Sequence, residues 1–322
     1  MTSSLTTRAP ARVDFGGGWT DVPPYCDERG GCVCNLAIAR YARVRLAARV
    51  DGDDADGALR APELALARAA LARGALGDVA MSIASEYPVG AGLGGSSAAG
   101  VAAVGATAAW RGERPDRAWL AQESRRLEVD DLGVAGGWQD HYAAAFGGAL
   151  GLRFEGGSDI RVERIPLAPE TVRALERRCT IVYTGRSRIS GETITAVLDA
   201  YRTRERATLA ALDAMKSLAG QMTTALAAGS VDELAALVGE HWEWQRALHP
   251  AISTPLIDAI VRAGRDAGAL GAKALGASGG GCVLVIAGDE TAERVRDAVA
   301  ALGSMVPFAV DTNGFTVEET TP

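Results

Sequence analysis

A glycine-rich run that opens onto a helix constrains this chain more than any other feature of its sequence. Val79–Ser85 has the apolar pattern of a strand. Pro88-Val89-Gly90-Ala91-Gly92-Leu93-Gly94-Gly95-Ser96-Ser97 follows it, and Ala98–Trp110 is Ala-rich, free of Pro and helical by propensity. Glycines carry no Cβ, so successive backbone N–H groups can converge on one point. The positive end of the helix dipole adds to their field, which makes a polyphosphate the natural occupant. Ser96 and Ser97 can supply a hydroxyl to Mg²⁺ or to a phosphate oxygen. No Lys follows the last Gly, so this is not a Walker A loop. Gly90, Gly92 and Gly95 fit the Rossmann spacing by letter, yet no acidic partner lies about twenty residues on. The chain holds 39 glycines in 322 residues, so chance clusters are common and other segments must agree.

Three further segments bear on the same chemistry. Gly276-Ala277-Ser278-Gly279-Gly280-Gly281 separates two short strands. A plain turn seldom needs three consecutive glycines, so close backbone approach to a ligand or to the first loop is expected. Arg12-Val13-Asp14-Phe15-Gly16-Gly17-Gly18-Trp19-Thr20-Asp21 gathers an Arg, an Asp and a Trp around a flexible turn. Gly136-Gly137-Trp138-Gln139-Asp140-His141 places an acid after a glycine pair; alone, such an acid is more often a turn residue than a catalyst.

The remaining sequence bounds the fold. At 322 residues with 48% hydrophobic content, the chain suits two ordinary domains sharing a cleft. A break is expected near residues 160–180, giving domains 1–170 and 171–322. Helical patterns cover 61–76, 116–128, 191–228, 231–248, 254–268 and 289–302, with strands at Lys273–Ala277, 282–287 and around 305–311. The alternation reads as α+β. The formal net charge is −7, which argues against a broad nucleic-acid face and leaves room only for a local basic pocket. No apolar run approaches the ~20 residues that span a bilayer, and Met1–Thr7 is polar, so a cytoplasmic chain without membrane contact is expected, a monomer or homodimer. Five cysteines without a C-x-x-C, and three histidines without paired metal-ligand spacing, argue for reduced buried thiols and against zinc.

Taken together, the four segments resemble the motifs of the GHMP kinases (galactokinase, homoserine, mevalonate and phosphomevalonate kinases). PVGAGLGGSSAAG resembles their P-x-x-x-G-L-G-S-S-A-A phosphate loop, with Gly95 where a Ser is usual. RVDFGGGWTD resembles the galactokinase sugar motif R-V-N-L-I-G-E-H-T-D at identical spacing, with Gly18 in place of its Glu, which counts against galactose. LGASGGGC resembles the C-terminal glycine motif. GGWQDH resembles the G-x-x-D-Q segment, with His141 replacing the Gln. GGGWTDVPPYCDERGGCVCNLAI resembles the L-fucose kinases; QDHYAAAFGG and VYTGRSR resemble the heptose-7-phosphate 1-kinases equally well.

The resemblance implies a ribosomal-protein-S5-like N-terminal domain beside a ferredoxin-like C-terminal one, with ATP and Mg²⁺ as cofactors. It implies that Pro88 and the backbone of Gly90, Ala91, Gly92, Leu93, Gly94, Gly95, Ser96 and Ser97 hold the phosphates, with Ser278, Gly279 and Gly280 closing over them. Ser96 and Glu128, twelve residues before Asp140, would bind Mg²⁺. Asp140 would accept the C1 hydroxyl proton, steadied by Arg12. Gly17, Gly18, Trp19, Thr20, Asp21 and Gly137 would form the sugar site, with Asp21 accepting sugar hydroxyls and Trp19 either stacking on the ring or packing in the core. Arg186 and Arg188 would bind a distal phosphate or sit in solvent. The base of the nucleotide falls to the stretch Arg49–Ser85, and His241, Trp242 and His249 to packing. A non-sugar alcohol as acceptor, or a silent ligand-binding regulator of the same fold, are the rival readings.

Overall fold

The computed structural model describes residues 4–49, 59, 61–156, 159–186 and 191–321, which leaves the acidic run 51–58 and Arg188 outside the described residues. The chain begins with β1 (Ser4–Gly16), the short helix α1 (Tyr25–Arg29) and β2 (Gly31–Ala48), and β1 and β2 pair antiparallel along most of their length. β2 is long enough to serve two partners. Its second half pairs with β3 (Val79–Ser85) and its first half with β4 (Ala149–Phe154), which then pairs with β5 (Ile160–Ile165).

Helices cover this sheet. α2 (Ala61–Arg73) and α4 (Arg117–Arg126) flank α3 (Gly95–Trp110), and α5 (Gln139–Phe146) follows. The Ala- and Gly-rich composition of α3 has a packing reason. Nearly the whole helix is buried, and its glycines admit close neighbours: a Cβ at Gly105 would fall 2.2 Å from the Phe315 ring, and one at Gly100 2.5 Å from Ser124 Oγ.

After α6 (Pro169–Arg178) comes β6 (Cys179–Tyr183), then α7 (Gly191–Arg202), α8 (Arg206–Ala227), α9 (Val231–Ala247) and α10 (Pro255–Asp266). β7 (Ala269–Ala274), β8 (Cys282–Ala287), α11 (Ala292–Ala300) and β9 (Ser304–Val306) complete a second antiparallel sheet of order β7-β8-β6-β9. The β6-α10-β7-β8-α11-β9 path in that order is the ferredoxin-like arrangement. β10 (Thr316–Thr321) then returns to pair with β1, so the end of the chain, beyond the expected 170/171 division, belongs to the first sheet.

Helices α8 and α9 tie the two halves together. Leu218, Met222, Leu234 and Val238 enter the core under the first sheet, while Leu212, Met215 and Trp242 enter the second. Several sequence expectations are corrected. The strand placed at Lys273–Ala277 lies at Ala269–Ala274, pressed onto α9 so tightly that a Cβ at Gly271 would sit 1.8 Å from the Ala235 carbonyl. The helix expected over 191–228 is interrupted between α7 and α8, where Arg204 takes φ +60. The last predicted strand is confined to Ser304–Val306. All five cysteines are unpaired and buried, and burial pushes the thiols of Cys179 and Cys282 up to about 12. No helix among the described residues is long and apolar enough to cross a membrane.

Candidate active site

The glycine loop leads from β3 to α3 with Gly90, Gly92 and Gly94 all at positive φ. Gly94 occupies the N-cap position of α3 in a left-handed conformation, and no side chain caps the helix. The first-turn amides are therefore left to a ligand or solvent. Arg12 fixes the loop from behind. Its backbone N–H donates to the Leu93 carbonyl at 2.9 Å, and Nη1 donates to the Gly92 carbonyl at 2.6 Å. With the carbonyls held on that side, the amides face away from β1.

The second glycine turn packs against the first. Cys282 N–H donates to the Ala91 carbonyl at 2.7 Å, and a Cβ at Gly281 would fall 2.7 Å from that same oxygen. Gly279 and Gly281 already donate to the carbonyls of Ile252 and Arg186, and Ser278 is buried with its hydroxyl held by Gln245. So of the two uses expected for this turn, close approach to the first loop is the one the geometry displays. The departure at Gly95 also has a cause. A Cβ there would meet the Tyr87 ring at 2.3 Å, and the Tyr87 hydroxyl donates to the Gly95 carbonyl at 2.9 Å.

Asp140, in the first turn of α5, lies beside this loop; a Cβ on Gly94 would be 3.2 Å from its Oδ2. Arg12 donates from Nε at 2.7 Å and from Nη2 at 2.6 Å, both to Asp140 Oδ1. Both donors take one oxygen, and Oδ2 is left on the glycine-loop side. Glu128 lies on a π-helical turn, Leu127–Asp131, that extends α4. Its Oε2 accepts from Ser97 Oγ at 3.2 Å and from His141 Nε2 at 3.0 Å. Ser124 Oγ lies 2.9 Å from His141 Nδ1 and donates to the Ser97 carbonyl at 3.4 Å, so the imidazole is held through both ring nitrogens. Burial alone would raise the Glu128 pKa, but the hydrogen bond and electrostatic attraction of His141, with hydrogen bonds from Ser96 and Ser97, outweigh it and hold the carboxyl below its usual range.

The N-terminal motif is more structural than its sequence suggests. Asp21 Oδ2 accepts the amides of Trp138 at 2.8 Å and Gln139 at 3.0 Å, which anchors the start of α5. Burial is the largest influence on it and, with Asp140 and Asp14 nearby, pushes its pKa up to about 6 against those two amides. Gly137 is required here, since a Cβ would sit 2.0 Å from Asp21 Oδ2. The Thr20 hydroxyl is used within the fold, by the carbonyl of Gly17 in its own turn and that of Cys32 in β2. Trp19 is only 8% exposed and packs in the second core, so it presents little face for stacking. Gly18 admits no side chain, because a Cβ would fall 2.4 Å from Asp14 Oδ2. Gly17 N–H donates to His241 Nε2 at 2.9 Å, and burial plus nearby Lys273 holds that imidazole neutral.

One part of the site gave no sequence signal as a group. Lys273 of β7 is fully buried, and its Nζ reaches Asp14 Oδ2 at 3.1 Å and the Phe15 carbonyl at 3.4 Å. This ion pair joins the second sheet to β1 two residues from Arg12. The expected base-binding stretch is described only in part, with 50–58 and 60 outside the described residues. Arg186 is exposed, and its carbonyl bonds to Gly281, which puts its backbone at the second glycine turn.

An uncapped, glycine-lined helix start thus lies beside a paired carboxylate between the two α/β halves. Residues 60–148 match the model of the GHMP kinase N-terminal domain and residues 222–304 that of the C-terminal domain. The chain belongs to the GHMP kinase family. It is 27% identical over 303 residues to a D-glycero-alpha-D-manno-heptose 7-phosphate kinase of Campylobacter jejuni, covering 86% of this chain and 88% of that one. It is 26% identical over 343 residues to a bifunctional fucokinase/GDP-fucose pyrophosphorylase of Arabidopsis thaliana, covering 96% of this chain but only 32% of that longer protein. The crystal structure of a D-glycero-D-manno-heptose 1-phosphate kinase from Bacteroides thetaiotaomicron superposes with a TM-score of 0.77 at 24% identity, over 99% of this chain and 100% of that one, which shows a shared fold.

Proposed function

We propose that this chain transfers the γ-phosphoryl group of Mg-ATP to the anomeric C1 hydroxyl of a sugar, giving a sugar 1-phosphate. The observation that carries this reading is Asp140, held by Arg12 through Oδ1 while Oδ2 lies beside the last turn of the phosphate loop. Phosphoryl transfer needs alignment and charge stabilisation more than covalent help. The amides from Gly92 to Ser96 fit ATP phosphates, because the loop turns at positive-φ glycines onto an uncapped helix, while the Ala91 amide is spent on the Pro88 carbonyl. Ser96 and an ionised Glu128 fit Mg²⁺, a hard cation that takes one or two carboxylates and leaves its other positions to water and phosphate. The cofactor supplies the phosphoryl donor and the metal neutralises its charge. Asp140 Oδ2 takes the proton of the C1 hydroxyl, and Arg12 keeps the carboxylate aimed by binding its other oxygen.

Relatives named for a fucokinase and for a heptose 7-phosphate kinase support a sugar as acceptor over a non-sugar alcohol. A silent regulator would have no need of Asp140, Ser96 and Glu128 together. Asp140→Asn keeps the shape of the Arg12 contact but removes the base. We expect kcat to fall by ~10²–10⁴ with the ATP dissociation constant unchanged. Turnover within a few-fold of the parent would remove Asp140 from the chemistry.

A further inference from the structure

Arg125 of α4 is the one arginine among the described residues with a buried nitrogen, Nε, that finds no hydrogen-bond partner. No carboxylate among the described residues lies within 4.0 Å of it, whereas its neighbour Arg126 pairs with Glu123 at 3.0 Å. Its guanidinium lies over the Trp138 ring, 3.8 Å from the centroid. Stacking fixes the plane of the fork, and the two terminal nitrogens, which unlike Nε are not buried without a partner, are left for a bidentate acceptor. Asp21, Asp27 and Asp130 face it only at longer range, and burial pulls its pKa down, so the cation is held without a direct partner.

Its position ties it to the acceptor side of the site. Trp138 donates its amide to Asp21 and lies two residues before Asp140. Gly137 packs directly on the buried Asp21, whereas Gly136 leaves room beside Glu128, where a Cβ would still be 4.0 Å from Oε2. An extended sugar with its C1 hydroxyl at Asp140 can therefore pass Gly136 toward Trp138 and Arg125.

We propose that Arg125, stacked on Trp138, binds a phosphomonoester at the end of the sugar remote from C1, so that the preferred acceptor is a sugar phosphate rather than a free sugar. This rests on the sugar 1-kinase reading and names its substrate class. Phosphate fits this fork better than a hydroxyl does, because two parallel N–H···O bonds to an anion are roughly twice as strong as neutral ones.

The test compares D-glycero-D-manno-heptose 7-phosphate with the same heptose lacking its phosphate, using the parent, Arg125→Met and Arg125→Lys. The parent should favour the phosphorylated heptose at least tenfold in kcat/KM. Arg125→Met, which keeps the aliphatic stem on Trp138, should raise KM for the phosphorylated heptose tenfold or more and leave KM for the free heptose nearly unchanged. Arg125→Lys keeps the charge without the fork and should fall between, and it decides the matter if the Met variant does not fold. Equal losses on both sugars, no loss on either, or a parent that prefers the free heptose would overturn the proposal while the sugar 1-kinase reading stands. A parent that phosphorylates neither heptose nor any other sugar would remove both.

Discussion

Asp21 illustrates how a motif residue can serve the fold through its carboxylate. It is buried, two backbone amides share its Oδ2, and its pKa is pushed up to about 6 from an ordinary 3.8. The folded protein therefore holds a proton there, between about pH 4 and pH 6, that the unfolded chain releases. Stability from this group is greatest below pH 4, falls as pH rises through 6 and is flat above about 7. Asp21→Asn keeps an acceptor for the amides and abolishes the titration. In urea unfolding at pH 4 to 7, the parent should lose about 2–3 kcal/mol relative to this variant across the interval. A difference that stays constant with pH would contradict the buried-carboxyl account. At this scale the resemblance singled out Arg12, Asp140 and Glu128, and the structure brings Arg12 to Asp140 beside the glycine loop and Glu128 to Ser97 at the start of α3. His141 was read only as a departure from the Gln of the family pattern. Its bond to Glu128 depends on a turn that brings positions 128 and 141 together, and a one-dimensional pattern does not express that.

Among the elements, the two glycine turns act as one unit, with the second supporting the first through Cys282 N–H and Ala91. Gly95 belongs to the same packing, since Tyr87 fills the space where a side chain would go. Gly95→Ser is expected to destabilise the protein by about 1–3 kcal/mol through overpacking. In a Tyr87→Leu background the same change should cost clearly less, a coupling that a double-mutant cycle by thermal or urea unfolding measures. Additive costs would show that Tyr87 does not set the residue at 95. The strand, loop and helix at Val79–Trp110 were readable because a short apolar run, a glycine cluster and an Ala-rich segment follow in order. β4, β5 and α6 were not placed, being short segments of six, six and ten residues set mainly by their pairing and packing. β7 was misplaced because its small residues are selected by contact with α9 rather than by strand propensity.

For the whole molecule, the cleft depends on how the second sheet is held against β1. Helices α8 and α9 contribute to both cores, and the Lys273–Asp14 pair crosses the boundary fully buried. Removing one partner of such a pair leaves an uncompensated charge. Lys273→Met is therefore expected to cost about 3–5 kcal/mol, while Lys273→Met with Asp14→Asn should recover most of it in urea unfolding. A single variant as stable as the parent would show that the pair does not hold the halves together. The two-domain α+β plan followed from the order of motifs, whereas the return of β10 to the first sheet did not, because a short polar terminal strand carries no signal of its partner. The central claim concerns the product. Protein incubated with Mg-ATP and L-fucose, D-mannose, galactose or heptose 7-phosphate, followed by ³¹P NMR, should give ADP together with a new phosphate on the anomeric carbon of at least one sugar other than galactose. ADP formed only with a non-sugar alcohol, or a phosphate on any other sugar carbon, would contradict it.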